Sequence, residues 1–222
     1  MTFELINDIY QLCAFSQFDW LAHGFGTKLF QAPDTITTMR QVHSDIVVRV
    51  DEAGCATEGD ALLSSTPGVV VGVKTADCLP ILLVDERQRT VAAVHAGWRG
   101  TASQIALKTI QAMNAHPEDL HAAIGPGIGG CCYEVGPEVA ARFGIEGRAR
   151  IDLADINRRQ LLSAGIAAER IYVAGHCTFC HADQFHSFRR DREAAGRMFS
   201  FIGVRAAPPS QCETSGETGR SS

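Results

Sequence analysis

The sequence predicts an α+β fold. Three observations predict it. Short β-branched runs crowd the first half of the chain, helical periodicity enters only after about residue 100, and the two do not alternate cleanly enough for a doubly wound sheet. Strands are expected at 46–50, 69–73, 80–84 and 90–94, with Pro67-Gly68 and Asp85-Glu-Arg-Gln88 supplying turns between them. The runs at 69–73 and 81–84 are continuously apolar, as strands covered on both faces are. Thr101 or Ser103 caps an expected helix to about Ala115, with Ala102, Ile105, Ala106, Ile110 and Met113 on one face. Asp155 is expected to cap a helix over 156–164 that Gly165 ends, and a third helix is expected over 189–199. Two more short strands, 122–124 and 171–174, lie between the helices. Residues 1–205 read as a single domain. Residues 206–222, rich in Ser, Thr, Gly and Pro, read as a tail outside the fold.

The chain has 222 residues, 45% hydrophobic and 20% charged, enough to bury a core without disulfide or metal staples. Its net charge of −5 implies no basic face, which argues against nucleic acid or an anionic membrane as partner. No apolar run approaches the roughly 20 residues of a membrane span. The first twenty residues, with Glu4 and Asp8, lack the basic-then-apolar pattern of a secretory leader, so the expected location is cytoplasmic. The oligomeric state is not legible. Cysteines stand at 13, 55, 78, 131, 132, 177, 180 and 212. In a reducing compartment such thiols are buried small hydrophobes, metal ligands or nucleophiles rather than bridges.

Three segments combine a metal-binding or nucleophilic side chain with a strand end: Arg40-Gln-Val-His-Ser-Asp45, Lys74-Thr-Ala-Asp-Cys-Leu-Pro80 and Val94-His-Ala-Gly-Trp-Arg-Gly100. Their His43, Cys78 and His95 would make a three-ligand site with one open position, a known arrangement for catalytic zinc. The same trio also suits a Cys–His nucleophilic pair with a helper histidine. Spacing does not decide between them.

The strings Gly59-Asp-Ala-Leu-Leu63, Thr75-Ala-Asp-Cys-Leu-Pro80, Val94-His-Ala-Gly-Trp-Arg-Gly-Thr101 and Ala123-Ile-Gly-Pro-Gly-Ile-Gly-Gly-Cys-Cys-Tyr-Glu-Val-Gly136, with Cys177-Thr-Phe-Cys180 and Phe185-His-Ser-Phe-Arg-Arg-Asp191, resemble the YfiH-type family. The resemblance runs from about residue 23 to 204. This family, once labelled polyphenol oxidase or laccase, is now regarded as zinc-dependent purine nucleoside phosphorylases that also deaminate adenosine. The resemblance implies zinc ligands at His43, Cys78 and His95, and purine nucleosides and phosphate as small-molecule partners. It also implies a layered α/β/β/α sandwich like the catalytic domain of cytotoxic necrotizing factor. One departure is visible: only residues 29–40 separate His23-Gly-Phe-Gly-Thr-Lys28 from the Gln-Val-His motif, where the family usually has a longer stretch.

Zinc held by two imidazoles and a thiolate lowers the pKa of bound water to about 7 and would supply a nucleophile against C6 of adenine. Asp77 and Asp60 are candidates to move the proton or to orient a ligand histidine. Phosphorolysis needs a cationic grip on phosphate, for which Arg40, Lys74 and Arg99 are placed near the ligands. Trp98 is a candidate purine platform or a core anchor. The glycines of Gly125-Pro-Gly-Ile-Gly-Gly130 are expected to line the pocket, and Cys131 and Cys132 to be buried thiols. Cys177-Thr-Phe-Cys-His181 has the spacing of a c-type haem attachment but is expected to be structural; a second zinc there would need further ligands. Copper suits Cys and His donors, yet ligands for the other copper centres of a laccase are not visible. The alternatives to a zinc enzyme are a metal-free Cys–His hydrolase or deamidase and a non-enzymatic zinc-binding protein.

Overall fold

The computed structural model describes residues 2–206, so the expected tail lies, from residue 207 on, outside the described residues. Two mixed sheets pack face to face. Their strands are β1 (Phe3–Ile6), β2 (Ile9–Leu12), β3 (Leu21–Gly26), β4 (Ile36–Arg40), β5 (Val47–Arg49), β6 (Cys55–Glu58), β7 (Ala61–Ser64), β8 (Val70–Thr75), β9 (Leu79–Asp85), β10 (Thr90–Ala96), β11 (Leu120–Ile124), β14 (Ile171–Val173) and β15 (Met198–Val204), while β12 (Glu134–Val135) and β13 (Ala149–Arg150) form a separate ribbon. The seven-stranded sheet has the order β1-β2-β3-β15-β8-β4-β6, and the six-stranded sheet β14-β11-β9-β10-β7-β5.

Strand alternation builds two cores. On the six-stranded sheet, Leu62, Leu82, Val84, Val91, Ala93 and Ala123 face Val71, Val73, Phe25 and Ile202 of the other sheet. The opposite face, with Leu63, Ile81, Leu83, Ala92, Val94 and Ile124, is covered by helices. Residues 79–85 and 90–96 are therefore buried at every position, and the continuous apolar runs seen in the sequence follow from that double coverage.

The helices are α1 (Trp98–Ala102), α2 (Ile105–Met113), α3 (Pro137–Ala140), α4 (Leu153–Ser163) and α5 (Phe188–Asp191). The single helix expected from residue 101 is two, because Gln104 takes a left-handed conformation (φ 59°) and breaks the ladder. The expected apolar stripe survives on α2, where Ile105, Ala106, Ile110 and Met113 are buried. Helix α4 begins three residues before its expected start: Asp152, not Asp155, is the cap and accepts from the Asp155 N–H at 3.0 Å. The helix expected over 189–199 is mostly absent. It ends at Asp191, Arg192 has φ 52° and ψ −131°, and residues 198–204 are the strand between β3 and β8.

Helices α1, α2 and α4 pack on strands of the six-stranded sheet. Among the described residues no α-helix packs substantially on the seven-stranded sheet, so the α/β/β/α layering that the resemblance implies is seen only as β/β/α. The β3–β4 connection, residues 27–35, holds no helix, and its Phe30 stacks on Phe201 of the same sheet at 5.7 Å.

Candidate metal centre

The chain steps from one sheet to the other between β4 and β5, between β6 and β7, and between β8 and β9. These three crossings carry His43, Asp60 and Cys78. The fourth participant, His95, lies on β10 opposite Pro80 of β9. One nitrogen of each histidine and Cys78 Sγ all lie within 4.8 Å of one another. The two imidazoles meet edge to face with centroids 4.9 Å apart. His95 is buried, Cys78 half-buried and His43 exposed, so the group opens outward on the His43 side.

Asp60, fully buried, organises this set. Its Oδ1 accepts from the His43 N–H at 3.0 Å, and its Oδ2 from the Val42 N–H at 3.3 Å, the Ser44 N–H, and the Ser44 hydroxyl at 2.7 Å. His43 has φ 58°, a left-handed conformation that costs roughly 1–3 kcal/mol and persists because Asp60 holds both flanks of the turn. The same Oδ1 lies 2.7 Å from His95 Nδ1. That contact turns Nε2 of His95 toward Cys78 and His43. Burial resists a charge on His95, but Asp60 and the Cys78 sulfur outweigh it and raise the imidazole to about 9. Burial likewise resists a Cys78 thiolate, and the two imidazoles outweigh it and bring the thiol down to about 6. Gly97 completes the arrangement: a Cβ there would stand 2.9 Å from Cys78 Sγ and 3.5 Å from His43 Cδ2.

Asp77 takes a different place. Its Oδ1 accepts from the Thr178 hydroxyl at 2.7 Å, its Oδ2 from the Arg189 N–H at 2.6 Å, and its carbonyl from the Ile128 N–H at 2.8 Å. The carboxylate makes these bonds and none to the two histidines, so it ties the Cys78 crossing (φ 83° at Asp77) to the loops around 128, 178 and 189.

A cavity of about 650 Å³ opens over the group. Lys74, Trp98 and Arg99 line it, together with Met39, Gln41, Ile128, Tyr133, Phe188, Arg189, Arg192 and Arg197. Five cationic side chains face it and the sole acid in its wall is Asp77. This reverses the sign of the chain's net charge. Lys74 lies over Phe199, and the Arg99 guanidinium sits 4.5 Å from the Trp98 ring, which also packs on the helix-covered core. Arg40 is not in the wall. Strand alternation turns Met39 and Gln41 inward and leaves Arg40 outside, paired with Glu58 at 3.1 Å. The glycine run is displaced too: only Ile128 lines this cavity, while Gly125, Gly127, Gly129 and Gly130 line a second one. A Cβ at Gly127 would meet Leu79 Cδ2 at 2.4 Å, so close packing explains that glycine. Sequence reading does not reach Gln41, Tyr133, Arg189, Arg192 or Arg197; Tyr133 and Arg189 do stand inside strings that carry the family resemblance.

Fold and site together define a class: a two-sheet α+β protein whose inter-sheet crossings gather a Cys/His group able to hold a metal ion under a cationic cavity. A family model described as "Multi-copper polyphenol oxidoreductase laccase" matches residues 23–205. The chain is 44% identical over 186 residues to a purine nucleoside phosphorylase of Deinococcus radiodurans, covering 78% of this chain and 72% of that one. It is 39% identical over 196 residues to adenosine deaminase RL5 of an unknown prokaryotic organism, covering 76% and 75%. The crystal structure of YlmD from Geobacillus stearothermophilus superposes with a TM-score of 0.83 at 29% identity, covering 91% of this chain and 98% of that one. The chain belongs to the YfiH family.

Proposed function

We propose that this chain is a zinc-dependent purine nucleoside phosphorylase, releasing base and ribose 1-phosphate from adenosine or inosine, with adenosine deamination as a second activity. The observation that carries the reading is the convergence of His43, Cys78 and His95 beneath a cavity walled by cations. Two imidazoles and one thiolate are a donor set that suits zinc, and three protein ligands are the usual number where the fourth position stays open for chemistry. No other group of three or more candidate ligands among the described residues contains a histidine, which disfavours a multi-copper oxidase despite the family's older name. Zinc bound there supplies a Lewis acid and a nucleophile at neutral pH.

The chain's own residues do the rest. Asp60 fixes the tautomer and direction of His95 while holding the His43 turn. Arg99 and Lys74 grip phosphate, the guanidinium by two parallel hydrogen bonds, with Arg192 completing the positive wall. Tyr133 and the Trp98–Arg99 stack give flat surfaces for the purine. The bonds from Thr178 and Arg189 to Asp77 keep the Cys78 crossing in register with that wall, which makes Asp77 a positioning residue.

The test is product identification: metal-defined protein is incubated with adenosine, with and without phosphate. Adenine and ribose 1-phosphate should form only with phosphate, and inosine in either case. Absence of both products with the zinc-loaded protein overturns the reading. A second reading, a metal-free thiol hydrolase, draws on the Cys78–His95–Asp60 alignment and the lowered thiol. It requires inhibition by iodoacetamide and indifference to chelators, whereas the metal reading requires chelators to inhibit.

A further inference from the structure

A second group of donors lies away from the cavity. Strands β11 and β14 are parallel neighbours, so the loops that leave their ends emerge side by side. The pairing continues past the strands: the Gly127 N–H donates to the His176 carbonyl at 3.2 Å, and the Thr178 N–H to the Gly127 carbonyl at 3.0 Å. One loop brings Cys131 and Cys132, the other Cys177 and Cys180. Residues 130–132 form a turn rather than an extended segment, which lets adjacent thiols face one centre instead of diverging. All four Sγ atoms lie within 4.8 Å of one another, with Cys132–Cys180 at 3.4 Å and Cys131–Cys180 at 3.9 Å. A tetrahedron of sulfurs with zinc–sulfur bonds of about 2.3 Å has edges of about 3.8 Å. The separations bracket that value and exceed the roughly 2.05 Å of a disulfide.

A second, independent observation points to bound charge. Cys177 is buried, and its sulfur accepts the Gly129 N–H, from the other loop, at 3.3 Å. A backbone donor aimed at the first sulfur of a Cys-x-x-Cys turn sets its direction, as outer contacts around metal ligands do. Cysteines 131 and 132, expected as separate buried thiols, are instead exposed and half-buried members of this group.

We propose that Cys131, Cys132, Cys177 and Cys180 bind one zinc ion as a closed, four-thiolate structural site. Four protein ligands leave no position for substrate, so this ion does no chemistry. It clamps together the two loops that supply Ile128 and Tyr133 to the cavity on one side, and Thr178, the partner of Asp77, on the other.

The experiment uses the full chain, purified under reducing conditions from zinc-sufficient medium, with metal content and free thiols counted together. The unaltered chain should hold two zinc ions with all thiols recoverable on denaturation. The double variant Cys132→Ser/Cys180→Ser should hold one, and His43→Ala should also hold one. Cobalt substitution tells the two residual sites apart: intense sulfur-to-metal bands of a four-sulfur tetrahedron should persist in His43→Ala and vanish in the double variant. If the double variant does not fold, the cobalt spectrum and stoichiometry of His43→Ala decide alone. A His43→Ala chain without metal, a disulfide within the group, or iron taken up there in preference to supplied zinc would each overturn the proposal.

Discussion

The Asp60 carboxylate makes five hydrogen-bonding contacts and reaches two of the three candidate ligand segments, so its loss should be felt at the proposed metal centre before it is felt at substrate. Asp60→Asn replaces one acceptor oxygen with a donor facing backbone N–H groups or His95. Zinc affinity at this centre should fall about 10- to 100-fold, measured by competition with a chelating dye. Gly97→Ala tests the opposite side of the same centre. Its Cβ must push Cys78 Sγ away, so the variant should fold but lose zinc from this site. Arg99→Ala separates substrate from metal: the KM for phosphate should rise at unchanged zinc content, and an unchanged KM would leave Arg99 a merely structural cation. The three candidate ligands were legible only because each stands in a distinctive string. Asp60 was visible as a candidate for two roles, and its backbone contacts, which come from a turn 16–18 residues away, were not.

At the scale of elements, short apolar strands are legible because burial on both faces leaves an unbroken run, as in 79–85. The misread segment 189–199 shows the converse. Its arginines suggest a polar helix face, but the alternation that decides it starts only at Met198, with Met198, Ser200 and Ile202 inward and Phe199 and Phe201 half-buried on the other side. At the start of α4, two aspartates three residues apart compete for the cap. Asp152→Ala should cost about 1 kcal/mol in urea unfolding, and Asp155→Ala should cost less. A pH signature belongs to β3. Burial, with the Arg205 charge beside it, pushes His23 down from 6.5 to about 4, and its ring accepts the Leu12 N–H at 3.0 Å. The folded state holds this ring neutral. Its contribution is therefore complete above pH 6.5 and is lost as the pH falls through about 4, by about 3 kcal/mol. His23→Gln, which keeps an acceptor and removes the titration, should flatten that acid limb of stability.

For the molecule as a whole, the α+β class followed from composition and order, but the pairing of strands into two sheets did not. Neighbours such as β15 and β3, 177 residues apart at Phe201–Gly24, leave no local trace in the sequence. Among the described residues no helix is long and apolar enough to cross a membrane. Ligand binding to the folded state alone adds stability in proportion to the logarithm of free metal. Free zinc at about a hundredfold above its Kd should therefore raise unfolding stability by about 2.7 kcal/mol for each occupied site, and the increment should disappear in Cys78→Ala once the four-cysteine group is removed as well.

Strand β15 sits between β3 and β8, so the larger sheet has no middle until residues 198–204 are available. The segments bearing His43, Asp60 and Cys78 have by then long left the ribosome, but the layer to which β4, β6 and β8 belong cannot close without its last-made strand. A chain cut back to residue 197 should therefore fail to hold zinc at His43, Cys78 and His95, which its metal content would check.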